Sequence, residues 1–410
     1  MDHTDTPTLK RALGLTSLTL YGLGTIIGAG IYVLVGAVAA RAGMAAPLSF
    51  LVAGVLATFT GLSYAELGQR LPEAAGAAAY AREGFKSEWV GKLTGFATLL
   101  VALVAAASVA RGGAGYLLEI IDIPLPVASG AVILLFTALA AWGVKESVFI
   151  AAAMTVIETL GLIIVVAVGG DALGDLPQRL PEMWPHAAWN GADAWSGVMA
   201  GAFLAFFAFA GFENIVNMAE ETHNVEHTLP RAVVLSIAVS ALLYMLVVTI
   251  AVLVVTPGAL AASAAPLCEV VNCSQGTMAM FAPIALIATL NGVLIEIVLM
   301  ARVAYGMARR GWLPRALGNV HAGRRTPLIA TLLVGGFVFA LTTTVEFEPL
   351  ARLTSTMLLL IFVVVNLSLL QLKRRQPDVA LTLRIPTVVP VLGAVSSVTL
   401  LLAEVWHVLG

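Results

Sequence analysis

The amino-acid sequence predicts an all-α polytopic membrane protein with about eleven transmembrane helices. Of its 410 residues, 60% are hydrophobic and 11% are charged, whereas about 25% of residues are charged in a typical soluble domain. Many apolar runs approach about 20 residues, the helix length that crosses the ~30 Å hydrocarbon core. They do not alternate apolar and polar residues, as the strands of a membrane barrel would. Helices are expected because a helix satisfies its own backbone groups in lipid.

Each predicted helix is an apolar run bounded by polar, charged or turn-forming residues. The runs follow one another with short connections, so a single transmembrane domain is expected. In chain order they are Leu15–Ala40, Pro47–Gly68, Leu93–Leu118, Val127–Trp142, Val148–Gly169, Trp195–Met218, Ala232–Thr256, Met280–Ala308, Leu328–Thr344, Leu350–Leu372 and Val388–Val408.

Lysine and arginine predict the orientation. Most of the 22 Lys and Arg residues fall in alternate connections, and the other connections contain only Arg41, Arg111, Arg179 and Arg352. Because cytoplasmic connections carry the excess of Lys and Arg, we expect a multi-pass plasma (inner) membrane protein with its N-terminus in the cytoplasm and the lipid bilayer as its surroundings. The net charge of −2 gives no reason to expect nucleic acid as a partner.

Histidine and cysteine indicate no cofactor or metal. His223 and His227 have helical i,i+4 spacing but lack the H-E-x-x-H order of a zinc protease. Cys268 and Cys273 are too few for a zinc site, which takes four ligands. They form a disulfide if their loop faces an oxidising space, or remain two unpaired thiols. No enzyme activity is expected.

The first helix contains an unusual density of glycine in the segment GLGTIIGAGIYVLVG, residues 22–36. A nucleotide-binding fingerprint would need a βαβ unit, which is missing from the predicted elements. Gly24-x-x-x-Gly28 is also a motif for close helix pairing. In a third interpretation, Gly28-Ala29-Gly30 interrupts the helix at the bilayer midplane, which transporters tolerate where the backbone lines a cavity.

The sixth helix favours the third interpretation. If the chain contains two inverted repeats of five helices, a second interruption is expected there. The segment FFAFAGFENIVNMAEE, residues 206–221, has Gly211 near its centre, followed by Glu213 in an apolar stretch. Free N–H groups at a half-helix N-terminus attract a carboxylate, and unwound carbonyl groups attract a cation. Two interrupted helices side by side are therefore suited to a zwitterion such as an amino acid.

Four segments resemble the amino acid–polyamine–organocation superfamily, in particular its cationic-amino-acid-transporter-like bacterial permeases. They are GTIIGAGIYVLVG (residues 24–36), Leu62–Tyr80, Phe206–Ala232 and Ala301–Pro327. The resemblance implies one transporter domain, residues 1–410, with broken helices 1 and 6. Its first inverted repeat would span residues 15–169, its second residues 195–372, and an additional C-terminal helix residues 385–410. The family usually has twelve helices, one more than this chain.

The resemblance also implies the substrate site. The carboxylate-binding backbone maps onto Ile27, Gly28, Ala29, Gly30 and Ile31, and the ammonium-binding backbone onto Phe206, Ala208 and Phe209. Phe209 would also cover the substrate. The expected function is secondary active transport of an α-amino acid by alternating access, as proton-coupled symport. The apolar stretch Phe203–Phe212 favours neutral substrates. The alternative is an amino acid exchanger or exporter without obligatory ion coupling.

Charged residues within the helices are the expected coupling or gating residues, since charge in lipid is costly and usually functional. Many proton-coupled relatives carry V-I-K in the fifth helix, where this chain has Val156-Ile157-Glu158. Glu158 is therefore expected to bind the coupling ion, a proton or sodium, unless it is only paired with a hydroxyl group. Glu213 is expected to gate or to cap the second half-helix, and Glu296 to gate or carry a proton. Arg302 is expected to extend to the membrane interface.

Overall fold

The structure is a computed structural model that describes residues 11–73, 76–118, 123–185, 192–263, 266–272, 275–344 and 347–409. Within these ranges the chain is almost entirely helical, apart from a parallel β-bridge between Leu13 and Thr222. The α-helices are α1 (Leu15–Ala42), α2 (Ala46–Arg70), α3 (Gly76–Phe85), α4 (Glu88–Leu118), α5 (Leu125–Trp142), α6 (Val144–Gly169), α7 (Leu176–Arg179), α8 (Ala192–Phe209), α9 (Phe212–Ile215), α10 (Val225–Val254), α11 (Pro257–Ala262), α12 (Pro266–Val270), α13 (Gln275–Arg309), α14 (Leu328–Thr344), α15 (Phe347–Arg375) and α16 (Val388–Leu409).

The apolar helices confirm the predicted class of protein. In the described ranges, 8 stretches are long and apolar enough to cross a membrane, and three shorter ones are Gly130–Trp142, Leu328–Thr342 and Val388–Ala403. Every predicted segment overlaps one of these stretches. Large apolar side chains such as Leu134 and Phe149 are more than two-thirds exposed, as expected of groups in contact with hydrocarbon. The chain is a multi-pass membrane protein.

The helices extend beyond the apolar runs at their polar ends. The run predicted from Leu93 begins at Glu88 in α4, and the run predicted from Ala232 begins at Val225 in α10. Backbone hydrogen bonds continue into the polar region, so hydropathy marks the lipid-embedded part of a helix and not its ends. The connections also contain helices that the sequence did not predict, namely α3, α7, α11 and α12.

Helix α1 lies in the interior of the bundle. It packs against α8, α10, α6 and α13. Other helices therefore contact α1 on several sides, and small residues allow them to approach closely. This central position brings the glycine-rich segment of α1 into contact with the elements that carry the other predicted site residues.

The prediction that Arg302 extends to the interface is wrong. Arg302 and Glu221 are both 0% exposed, and Nε and Nη2 of Arg302 donate to the two carboxylate oxygens of Glu221 at 3.2 Å each. The backbone carbonyl of Glu221 accepts hydrogen bonds from the N–H groups of Ala12 and Leu13. A bidentate partner on a neighbouring element satisfies the guanidinium without water. The pair ties α13 to the segment that follows the sixth predicted helix and to the start of the chain.

A second buried carboxylate joins the C-terminal helix to the bundle. Glu66 in α2 is 0% exposed and accepts hydrogen bonds from Arg70, at 2.8 Å, and from Lys373 in α15, at 2.7 Å. It also accepts the backbone N–H of Ile385, just before α16. Two cations therefore neutralise this carboxylate.

The cysteine alternatives are partly resolved. Cys268 in α12 is disulfide-bonded, so it is not an unpaired thiol. Cys273 lies outside the described residues. Cys268 belongs to the connection between α10 and α13.

We expect Glu221→Gln or Arg302→Gln alone to lower the free energy of unfolding by about 3–5 kcal/mol, because each leaves one buried charge without its partner. The double variant Glu221→Leu/Arg302→Met removes both charges and is expected to be within about 1 kcal/mol of the parent protein or above it. Equilibrium unfolding in mixed detergent micelles measures the differences. Single variants as stable as the parent would contradict the buried pair.

Candidate functional site

Helix α1 is interrupted at Gly28. Its φ of 28° and ψ of −154° lie outside the helical region, while the flanking residues remain helical. Such a backbone conformation is almost restricted to glycine. Apart from the adjacent backbone of α1 itself, no atom lies within 4 Å of the position that a Cβ on Gly28 would occupy. The predicted break is therefore confirmed, and it is narrower than the expected Gly28–Gly30 segment.

Other glycines of α1, Gly24 and Gly30, allow close packing of neighbouring helices, as the second interpretation predicted for Gly24. A Cβ on Gly24 would collide with Oγ1 of Thr155 in α6 and lie 2.8 Å from Nδ2 of Asn291 in α13. A Cβ on Gly30 would lie 3.1 Å from Cα of Ala208 in α8. The glycines of this segment thus divide into one that interrupts the helix and others that allow neighbouring helices to approach.

The sixth predicted helix is interrupted at Gly211, which confirms the second break. Helix α8 ends at Phe209, Gly211 has a φ of 125° and a ψ of −24°, and α9 starts at Phe212. A Cβ on Gly211 would collide with the carbonyl oxygen of Thr25 in α1. The break of α8 therefore lies directly against α1, one turn before Gly28.

Tyr244 of α10 joins the two interrupted helices. Its hydroxyl group lies 2.7 Å from the carbonyl oxygen of Ile26 and 2.9 Å from that of Ala208. It is fully buried, and its ring packs edge-on against Phe209 with centroids 5.0 Å apart. The sequence analysis missed Tyr244. A lone tyrosine in the middle of an apolar helix was the signal, since a buried hydroxyl group requires a partner.

The structure brings the predicted substrate-binding positions together at the two breaks. Ile27 and Ile31 are fully buried, Gly28 is buried and Gly30 is half-buried beside Ala208. Phe206 and Ala208 are buried on α8, and the Phe209 ring would lie 3.0 Å from a Cβ on Gly54 of α2. The backbone of Ala29 is helical, and its side chain lies outside the described residues. The roles of these residues remain predictions.

Glu158 lies between α6, α1 and α13 and is 0% exposed. One carboxylate oxygen, Oε1, accepts a hydrogen bond of 2.5 Å from Nδ2 of Asn291, which also donates to Oγ1 of Thr155 at 3.0 Å. The other oxygen, Oε2, has no partner among the described residues. The hydroxyl group of Tyr32 in α1 donates to the backbone carbonyl of Glu158. The carboxylate has no cationic partner there.

Glu213 and Glu296 lie together beyond the break in α8. Oε2 of Glu213 accepts the backbone N–H of Gly211, the residue before α9, at 2.8 Å. Oε1 of Glu296 in α13 accepts a hydrogen bond of 3.5 Å from Nδ2 of Asn214 in α9. Both carboxylates line one cavity of about 30 Å³. Sequence reasoning found both residues and did not predict that they share a cavity.

Two interrupted helices in contact within a bundle of apolar helices define a class of protein. Their exposed carbonyl and N–H groups at membrane depth are characteristic of transporters. The surrounding helices add the carboxylates of Glu158, Glu213 and Glu296, which have no cationic partner among the described residues. The fold and the site therefore define a polytopic membrane transporter.

Comparison with known proteins gives the family. A family model described as amino acid permease matches residues 13–406. The branched-chain amino acid permease BcaP of Bacillus subtilis is 30% identical over 425 aligned residues, covering 97% of this chain and 89% of that protein. Cationic amino acid transporter 4 of Homo sapiens is 29% identical, covering 92% of this chain and 62% of that protein. The methylthioribose transporter of Bacillus subtilis is 28% identical. The chain belongs to the amino acid permease family.

We expect Gly28→Ala to abolish substrate binding while the protein stays folded. The conformation at Gly28 would cost a residue with a Cβ about 1–3 kcal/mol, and no steric clash adds to that cost. Gly211→Ala adds a collision with the Thr25 carbonyl oxygen and should unfold at lower temperature. Gly336→Ala in α14, with open space around it, is the matched control and should match the parent. Binding of labelled leucine and the thermal unfolding midpoint are measured, and normal binding in Gly28→Ala would contradict the role of the break.

We expect Tyr244→Phe to weaken substrate binding and to lower stability by about 1–3 kcal/mol, because the carbonyl groups of Ile26 and Ala208 lose their buried donor. Tyr80→Phe is the matched control. Tyr80 is equally buried, but its hydroxyl group has no partner in the described residues, so this variant should be neutral. Leucine binding and equilibrium unfolding of the two variants are compared. Identical behaviour would show that Tyr244 does not hold the breaks together.

Proposed function

We propose that this protein is a secondary active transporter that moves a neutral α-amino acid across the plasma membrane by alternating access, with its N-terminus in the cytoplasm. The observation that carries the proposal is that two helices, interrupted at Gly28 and Gly211, contact each other, with Gly211 against Thr25 and Gly30 against Ala208. Their backbone groups offer N–H donors and carbonyl acceptors to the two ends of a zwitterion. The residues that hold it are Ile27, Gly28, Ala29, Gly30 and Ile31 for the carboxylate, and Phe206, Ala208 and Phe209 for the ammonium group.

The apolar surroundings of the breaks support a neutral side chain. Phe206, Phe209 and Ile27 are apolar and buried, and a cationic side chain placed among them would lack a partner. A relative that is 30% identical is named as a branched-chain amino acid permease, which agrees with an apolar substrate. Another relative is named as a cationic amino acid transporter. Uptake of lysine is therefore the measurement that distinguishes a cationic from a neutral substrate.

Glu158 is the proposed coupling residue, with a proton as the coupling ion. It is buried next to α1, it has no cationic partner in the described part of the chain, and Oε2 is free to carry a proton. A charged carboxylate in such a site is costly, so a neutral one is favoured whenever a proton is available. Tyr32 of α1 donates a hydrogen bond to the backbone carbonyl of Glu158. A change in the charge of the Glu158 carboxylate would therefore act close to the interrupted helix α1. Sodium bound by the same oxygen atoms is the alternative.

The test is uptake of labelled alanine, leucine, methionine and lysine into liposomes that contain the purified protein. Acid outside, without sodium, should drive accumulation of the neutral amino acids and not of lysine. Accumulation driven by sodium alone would assign sodium instead. Uptake that requires amino acid preloaded inside would identify an exchanger. That result would contradict the proposed proton coupling but would be compatible with the proposed substrate site.

We expect Glu158→Gln to abolish acid-driven accumulation and to retain exchange of internal for external leucine, because glutamine keeps the hydrogen bonds but cannot release a proton. Glu182→Gln, in an exposed position with its side chain 44% exposed, is the matched control and should behave as the parent. Unchanged acid-driven accumulation in Glu158→Gln would remove Glu158 from the coupling mechanism.

A further inference from the structure

A small cavity beyond the break at Gly211 is lined by α2, α3, α4, α9, the segment after α9, α13 and α15. Its volume is about 30 Å³, which is room for one or two water molecules or a single ion. The polar residues that line it are Tyr64, Thr98, Glu213, Asn214, Asn217 and Glu296. The remainder of the lining is apolar, so the polar atoms are concentrated on a few side chains.

Three oxygen atoms on the lining residues have no partner among the described residues. They are Oη of Tyr64, Oδ1 of Asn217 and Oε2 of Glu296. Tyr64 is 1% exposed and Asn217 is 4% exposed, so neither oxygen is solvated at the protein surface. Asn217 is held in place because Nδ2 donates to the backbone carbonyl of Glu213 at 3.2 Å. Buried acceptors without donors are uncommon and require an explanation.

The cavity also lacks a compensating charge. None of the described residues that line it is Lys, Arg or His. The other titratable groups near the two carboxylates are Tyr21 in α1 and the ion pair of Arg302 with Glu221, and that arginine is already neutralised. The carboxylates of Glu66 and Glu221 each contact a cationic side chain. Glu213 and Glu296 therefore need a positive charge from solution, because two unpaired carboxylates at membrane depth are strongly unfavourable.

We propose that Glu213 and Glu296, with Asn217 and Tyr64, form a binding site for one small monovalent cation, which is a proton or an alkali-metal ion. The ligands are oxygen atoms of carboxylate, amide and hydroxyl groups, which suit hard cations. A divalent ion would need six or more oxygen ligands or several retained water molecules, and the cavity is too small for those.

This site is separate from Glu158. Asn291, the partner of Glu158, and Glu296 are five residues apart on α13, so they lie about 7.5 Å apart along the helix axis and on different faces. The new site instead joins α13 to α9, and Glu213 also holds the N–H group of Gly211 at the break. A cation bound here fixes the position of the second half of the interrupted helix relative to α13, whether or not Glu158 carries a proton.

The test is equilibrium binding to the purified full-length protein in detergent, so it does not depend on transport. Labelled Na⁺ and Rb⁺, the latter standing in for K⁺, are titrated at constant ionic strength. If the occupant is an alkali ion, one ion per chain binds, and the affinity falls at least about tenfold in Glu296→Gln, since a charged ligand is lost. Glu182→Gln, whose side chain is 44% exposed, is the matched control and should retain the binding.

If the occupant is a proton, neither alkali ion binds. Infrared difference spectra between acidic and alkaline buffer then show a C=O band of a protonated carboxyl group that Glu213→Gln or Glu296→Gln removes, in addition to any band that Glu158→Gln removes. If a glutamine variant fails to fold, Asn217→Ala keeps both carboxylates and should weaken alkali binding or shift the pH at which the band appears. A protein with neither saturable alkali binding nor a carboxyl band that depends on these residues would overturn the proposal.

Discussion

The structure depends on one constraint: in a membrane, every backbone polar group must have a partner within the protein. An intact helix meets this constraint by itself, and an interrupted helix does not. The breaks at Gly28 and Gly211 therefore require donors and acceptors from elsewhere. Tyr244 supplies the hydroxyl group for two carbonyl groups, and Glu213 supplies the carboxylate for one N–H group. The need for these partners fixes the positions of helix α10, which carries Tyr244, and of the segment after Gly211, which carries Glu213.

The treatment of buried charge separates the framework from the proposed site. Glu66 and Glu221 contact arginine or lysine, and they join helices that lie far apart in the sequence. Among the described residues, Glu158, Glu213 and Glu296 have amide or backbone partners instead, and one oxygen atom each of Glu158 and Glu296 has no partner. A neutralised carboxylate stabilises one arrangement of helices, whereas a carboxylate without a cation responds to ions in solution. The three carboxylates without a cationic partner, Glu158, Glu213 and Glu296, lie around the two breaks.

Sequence reasoning succeeded where a single local rule decides the outcome. The thickness of the hydrocarbon core sets the length of each apolar run, so all of the predicted segments correspond to helices. Glycine at Gly28 and Gly211 marks conformations that other residues avoid. It failed for Arg302, because whether an arginine extends to the interface or is buried depends on a partner in another helix. It also missed Tyr244, whose two partners are about 36 and 218 residues away in the chain.

The sequence alone determined that the chain is an all-helical membrane protein of the permease type, where its membrane-crossing segments lie and where two of them break. Composition, segment length and backbone preference are properties of neighbouring residues, so they can be read along the chain. Only the tertiary structure decided that Arg302 pairs with Glu221, that Tyr244 joins the breaks, and that Glu213 and Glu296 share a cavity. Charges and hydrogen bonds act over a few ångströms in space, and helix packing alone determines which residues come within that distance.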